Sequence, residues 1–184
     1  MGHKDFMTCI VGITDGKTVH LGGDSASVGG MSISRTLHPK VFQNGPYVIG
    51  YTSSFRMGQL LEFGEIPKPT KPERKNLYRF MVTRFVPAIR EIFKEGGFLK
   101  VESSVEEGGT FLVGLRGELF IVDDDFQVQQ KPEHFTACGC GTAIALGALY
   151  VANDKDLKVR LQSALEAAEQ FSAGVRGPFH FIHG

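Results

Sequence analysis

The sequence is short of cysteine, carries no excess of either charge and contains no long apolar run. Its three cysteines are odd in number, so they do not pair off into a disulfide framework and point instead to reduced thiols in a cytoplasmic protein. Lys and Arg together number 20, as do Asp and Glu. No basic field is therefore offered to nucleic acid, and there is no acidic tail. No apolar stretch approaches the ~20 residues that a membrane span requires. The opening Met1-Gly2-His3-Lys4-Asp5-Phe6 lacks the apolar segment of a secretory signal. Metal ligands are scarce as well. The six histidines are scattered, and Cys138-Gly139-Cys140 has no second pair to close a zinc site. Asp123, Asp124 and Asp125 have no histidine near them and read as a solvated turn. What remains is an ordinary globular composition over 184 residues, 42% hydrophobic and 22% charged, with 23 glycines that suit a sheet-rich fold of tight turns.

The informative stretch runs from Thr8 to Ser25. Apolar residues flank Asp15-Gly16, two residues that tolerate the backbone of a hairpin turn. A hairpin places its two ends side by side, so Thr8 and Asp24 are expected to meet. If the chain were cut before Thr8, the new α-amine, with an ordinary pKa near ~8, would lie within reach of the threonine hydroxyl. Nucleophile and general base would then belong to one residue. Residues 1–7 accordingly read as a short propeptide or as an extension upstream of a start at Met7, and residues 8–184 as one domain.

The rest of the chain is read in the same way. Residues 28–34 are small and polar, and predict a loop. Lys40-Val41-Phe42 and Tyr47-Val48-Ile49 flank Asn44-Gly45-Pro46 and predict a second hairpin with Lys40 on its first strand, either solvated or set beside Thr8 and Asp24. A cation there would keep the α-amine neutral and stabilise a developing alkoxide. Helical spacing covers 55–63, 74–95 with a kink at Pro87, 142–152 and 157–171. A polar loop is expected over 102–109. Residues 110–123 repeat the pattern of 8–24 (Thr, apolar strand, Val-Gly, turn, apolar strand, Asp), as if one hairpin lay in each of two stacked sheets. Residues 175–182 predict a last strand. Periodicity alone supports an α+β fold.

Three segments, Thr8-Cys9-Ile10-Val11-Gly12, Gly22-Gly23-Asp24 and Pro39-Lys40-Val41, together resemble the proteasome β-subunit family of N-terminal nucleophile (Ntn) hydrolases, and within it the bacterial HslV type. The resemblance spans most of the chain. It implies a four-layer αββα sandwich of two antiparallel sheets flanked by helices. It also implies a threonine-type peptidase in which Thr8 is the nucleophile and Asp24 and Lys40 tune its charge. Backbone N–H groups near Ser53, where the family usually keeps a glycine, would hold the oxyanion. Tyr51 and Phe55 would wall a substrate pocket. Cys140 stands where the family has a serine beside the nucleophile. Ser172 keeps a second family serine, while Gln170 replaces a family aspartate. No metal or organic cofactor is implied. The partners implied are an unfolded protein or peptide substrate, further copies in a homo-oligomeric ring, and an ATPase unfoldase. Two other readings of the same residues remain: an Ntn amidohydrolase using Cys9, and a non-catalytic ring or shell subunit that never exposes Thr8.

Overall fold

The structure, a computed structural model, describes residues 7–29, 32–102, 105–152 and 156–184; the expectation for residues 1–6 lies outside them. The first hairpin pairs β1 (Cys9–Thr14) with β2 (Val19–Gly23), Thr14 opposite Val19. Its loop is longer than a two-residue turn. Asp15 Oδ1 accepts the N–H groups of Lys17 and Thr18, both at 2.8 Å, and Gly16 takes φ +83°.

Next come β3 (Ala26–Gly29), β4 (Ser32–Arg35), β5 (Val41–Asn44) and β6 (Tyr47–Tyr51), then helix α1 (Phe55–Phe63). The predicted helix over 74–95 is divided. Helix α2 (Leu77–Phe80) runs into a wide π-helical turn at Met81–Phe85 and on into α3 (Val86–Glu95). Pro87 has no N–H to complete the ladder, and the preceding turn widens around it. Strands β7 (Lys100–Glu102), β8 (Val105–Glu107), β9 (Phe111–Leu115), β10 (Glu118–Val122), β11 (Val128–Gln129) and β12 (Phe135–Gly139) follow. Helices α4 (Thr142–Val151) and α5 (Leu157–Phe171) and strand β13 (His180–His183) complete the chain.

Two of the expected loops are ribbons. Strands β3 and β4 pair antiparallel, as do β7 and β8. Neither pair has an apolar face buried on both strands, which is the signal that marks a strand in sequence. The Asp123 region is the expected turn: Phe126 N–H bonds the Asp123 carbonyl, and Gln129 holds Asp123 Oδ2 at 2.7 Å.

The two main sheets are antiparallel, ordered β12-β1-β2-β13 and β11-β10-β9-β6-β5. Their inner faces meet through Ile10, Val19 and Leu21 against Val41, Val48, Leu112 and Ile121. The alternate side chains Cys9, Val11 and Ile13 point outward to Leu149, Leu161 and Leu165 of α4 and α5. On the opposite side, Tyr47, Phe111, Val113 and Phe120 pack on Met57, Leu61, Phe85 and Phe93 of the first helical layer. The order is helix, sheet, sheet, helix: a four-layer αββα sandwich. Both faces of the central strands are buried, which is why they read as continuous apolar runs.

The repeated Val-Gly is explained by this layering. A Cβ on Gly12 would sit 2.8 Å from Leu21 and 3.1 Å from Leu119, and one on Gly114 would sit 2.5 Å from Val48 and 2.6 Å from Val19. Each hairpin keeps a glycine where the two sheets press together, β1–β2 in one sheet and β9–β10 in the other. No helix among the described residues is long and apolar enough to cross a membrane.

Candidate active site

Three strand ends converge at one edge of the sandwich. Thr8 precedes β1, Asp24 follows β2 and Lys40 precedes β5. The β1–β2 ladder continues one step past its last pair, since Asp24 N–H donates to the Cys9 carbonyl at 3.2 Å. Cys9 N–H returns a bond to Asp24 Oδ1 at 3.0 Å. The ammonium of Lys40 donates to that same oxygen at 3.0 Å and to Thr8 Oγ1 at 2.9 Å. Asp24 is fully buried, Lys40 2% exposed and Thr8 6% exposed.

A carboxylate removed this completely from water needs its lone pairs filled. Ala26 N–H donates to Oδ2 at 2.8 Å, and Arg176 N–H approaches the same oxygen at 3.4 Å. Burial pushes the Lys40 ammonium below the usual lysine range, while the Asp24 charge works against that shift. Thr8 Oγ1 donates to the Met7 carbonyl at 2.7 Å. The hydroxyl is therefore placed between a cation and the peptide bond that precedes it.

The remaining predicted residues divide. The Cys140 thiol approaches the Thr8 carbonyl at 3.5 Å and the Ser172 hydroxyl at 3.3 Å, so both reach the Thr8 backbone as a chain. Ser53 is engaged elsewhere. Its φ is +64°, a left-handed conformation in which glycine costs less. Its hydroxyl accepts the Thr110 N–H at 3.1 Å and meets Thr52 Oγ1 at 3.1 Å, fastening the loop after β6 to β9. Tyr51 and Phe55 stack edge to face at 6.4 Å and line a cavity of about 310 Å³ with Pro39, Gly58, Glu62 and Phe63. Burial pushes the Tyr51 hydroxyl up to about 12, with Glu62 and Asp24 adding smaller effects. Pro39 is the neighbour of Lys40 in the chain, and Tyr51 N–H bonds the Lys40 carbonyl at 3.0 Å. That cavity therefore adjoins the triad. A larger one of about 510 Å³, lined by Thr14, Gly117, His134 and Phe135, contains none of the predicted residues.

Cys9, the nucleophile of the amidohydrolase reading, lies on the outer face of β1 in the uncut chain. Its thiol is fully buried in the core facing α4 and α5, and burial raises its pKa far above the range of a reactive thiol. Sequence reasoning missed Gly139. With φ +101°, this residue brings β12 so close to β1 that a Cβ would lie 2.1 Å from the Thr8 carbonyl oxygen. The glycine pattern of 139–141 was visible, but its reason lies in a contact 131 residues away. Among the described residues there is no group of three or more His, Cys, Asp or Glu that could hold a metal.

No family model and no curated protein matches the chain. Solved structures do. A structure of Thiobacillus denitrificans BPH in complex with epoxomicin is similar at TM-score 0.75 and 20% identity, covering 96% of this chain and 98% of that one. Eukaryotic HslV from Trypanosoma brucei is similar at TM-score 0.66 and 18% identity, covering 96% and 98%. Anbu, the ancestral β-subunit from Yersinia bercovieri, is similar at TM-score 0.65 and 13% identity, covering 96% and 81%. With the layer order above, these likenesses make the fold that of the proteasome-like Ntn hydrolases.

Proposed function

We propose that the protein is a threonine-type peptidase in which Thr8 is the nucleophile, freed by removal of residues 1–7. The observation that carries this reading is the buried Lys40 ammonium, which bridges Thr8 Oγ1 and Asp24 Oδ1 at 2.9 and 3.0 Å. Once free, the α-amine of Thr8 would take the hydroxyl proton, directly or through a water, as Oγ attacks a substrate carbonyl. The Lys40 charge would stabilise the alkoxide, and backbone N–H groups near Ser53 would hold the oxyanion. Transfer of the proton to the leaving amine gives an ester on Thr8, which water then hydrolyses. Cys140 and Ser172 would steady the Thr8 backbone through this cycle. Tyr51 and Phe55 would bind a substrate side chain.

The uncut chain supports its own first step. Thr8 Oγ lies at the Met7 carbonyl group. Attack on that carbon would form the Oγ–C bond and break the C–N bond of Met7-Thr8, with the hydroxyl proton passing to the nitrogen. Water would then release residues 1–7 from the ester. If translation begins at Met7 instead, removal of that one residue exposes the same amine. A homo-oligomeric ring, a cytoplasmic location, unfolded protein or peptide substrates and an ATPase partner belong to this reading.

Epoxomicin, which the BPH neighbour holds, supplies the test. Intact-mass analysis should show a chain beginning at Thr8, and one epoxomicin adduct on Thr8 that is absent from Thr8→Ala. A chain that keeps Met7, takes no adduct and cleaves no peptide would make the non-catalytic shell subunit the correct reading.

A further inference from the structure

The segment between α5 and β13 crosses directly over Asp24. Ser25 holds it from one side: its N–H donates to the Arg176 carbonyl at 2.8 Å and its hydroxyl to the Pro178 carbonyl at 2.6 Å. From this crossing the Arg176 N–H reaches Asp24 Oδ2, the oxygen that Lys40 does not touch. The other side is held by Glu169, in the last turn of α5. Its Oε1 accepts the Gly177 N–H at 2.9 Å, and its backbone carbonyl accepts Arg176 Nη1 at 3.2 Å. Glu169 is half-buried, bonds neither Thr8 nor Lys40, and lies outside the cavity of Tyr51 and Phe55. Gln170, next in the helix, is exposed and makes none of these bonds.

We propose that Glu169 is a positioning residue for the Asp24–Lys40 pair, fixing the Arg176 amide against Asp24 through the Gly177 N–H. At 3.4 Å the Arg176 N–H is at the long end of hydrogen-bond distances, so a small backbone shift breaks its contact with Asp24. Without the Glu169 acceptor, the crossing keeps its ties through Ser25, the Arg176 guanidinium and the packing of Val175 and Phe179, but none of these bonds the Gly177 N–H. Asp24 then keeps the Cys9 and Ala26 N–H bonds but loses part of the hold on Oδ2, and Asp24 is the group that offsets the burial of the Lys40 charge. The other titratable groups facing Lys40 are Cys9 and Cys140, while Tyr51 faces Asp24. None of these can replace a fixed carboxylate at Nζ.

The activity arm of the test rests on the peptidase reading, and its structural arm does not. Glu169→Gln keeps an acceptor at the same length; Glu169→Met keeps the length without the acceptor. The Met variant should lose about tenfold in kcat with KM little changed, because Glu169 touches no substrate. The alkaline limb of its pH profile should move to lower pH, as Lys40 gives up its proton more readily. The Gln variant should restore both. Hydrogen exchange should find the Arg176 and Gly177 amides protected in the wild type and the Gln variant, and open in the Met variant. A Met variant with the kcat and alkaline limb of the Gln variant overturns the proposal. So do Arg176 and Gly177 amides that exchange freely in the folded wild type, whether or not the Met variant folds. A wild type that cleaves nothing while those amides are protected would sink the peptidase reading and leave the clamp standing.

Discussion

Replacing Lys40 by methionine separates the chemistry of this site from its stability. The side chains are similar in volume, so the change chiefly deletes one charge. At 3.0 Å and an effective dielectric near 20, the attraction between Lys40 and Asp24 is about 5–6 kcal/mol. Desolvating each ion costs several kcal/mol. The pair therefore adds little net stability, and its removal as a pair should be mild. Removing Lys40 alone is different, because Asp24 remains buried with only the Cys9, Ala26 and Arg176 N–H groups. Breaking a buried pair in this way typically destabilises by about 3–5 kcal/mol. Lys40→Met should fall in that range by urea denaturation, and Lys40→Met with Asp24→Asn should recover most of the loss. Catalysis should recover in neither. Loss of one charge aimed at the alkoxide costs ~3 kcal/mol in the barrier, about a hundredfold in peptide turnover. The pH dependence sharpens the test. Between the lowered Lys40 pKa and its ordinary 10.5, the unfolded chain holds a proton that the folded chain lacks, so this group makes stability rise with pH. Activity should fall over the same window, as the ammonium that faces Thr8 is lost. Both dependences should vanish in the double variant. A Lys40→Met protein that turns over peptide at the wild-type rate would refute the role given to the cation.

Two further substitutions bear on the same corner. Gly139→Ala places a Cβ 2.1 Å from the Thr8 carbonyl oxygen at φ +101°; the backbone strain alone should cost about 1–3 kcal/mol in denaturant, and the displaced nucleophile should lose about a hundredfold in turnover. Iodoacetamide should alkylate Cys140 alone, since it is exposed while Cys9 and Cys138 are buried and their thiols pushed up by burial. Mass spectrometry should then show one adduct and peptide turnover should stop, whereas Cys140→Ser should stay active and unlabelled.

What could be read from the sequence in this protein is what short stretches decide. The β1–β2 hairpin announces itself because Asp15 and Gly16 form its loop with their own side chain and backbone, and the ladder then carries Asp24 to Thr8 with no help from elsewhere. Lys40 is legible through the resemblance of Pro39-Lys40-Val41 to the family's motif, since a lone lysine at the head of a hairpin strand otherwise reads as solvated. Helix α5 has its expected bounds because Asp156 caps its first turn through the Lys158 and Val159 amides. Ribbons β3–β4 and β7–β8 fail the same test, since their apolar residues Ile33, Val101 and Val105 are exposed and leave no period to read. The parts of the site that sequence hides are those made by contacts between distant strands. Gly139 reads as one more turn glycine until the Thr8 carbonyl arrives against it. The Ser53 loop reads as a source of backbone N–H groups, but not the bond that fastens it, from the Thr110 N–H to the Ser53 hydroxyl, which the pairing of β6 with β9 sets. Glu169 reads as helix surface until the chain after α5 turns back across Asp24. Local chemistry thus brings Thr8 and Asp24 together, and the tertiary packing of β9, β12 and the crossing at Arg176 decides how firmly they are held.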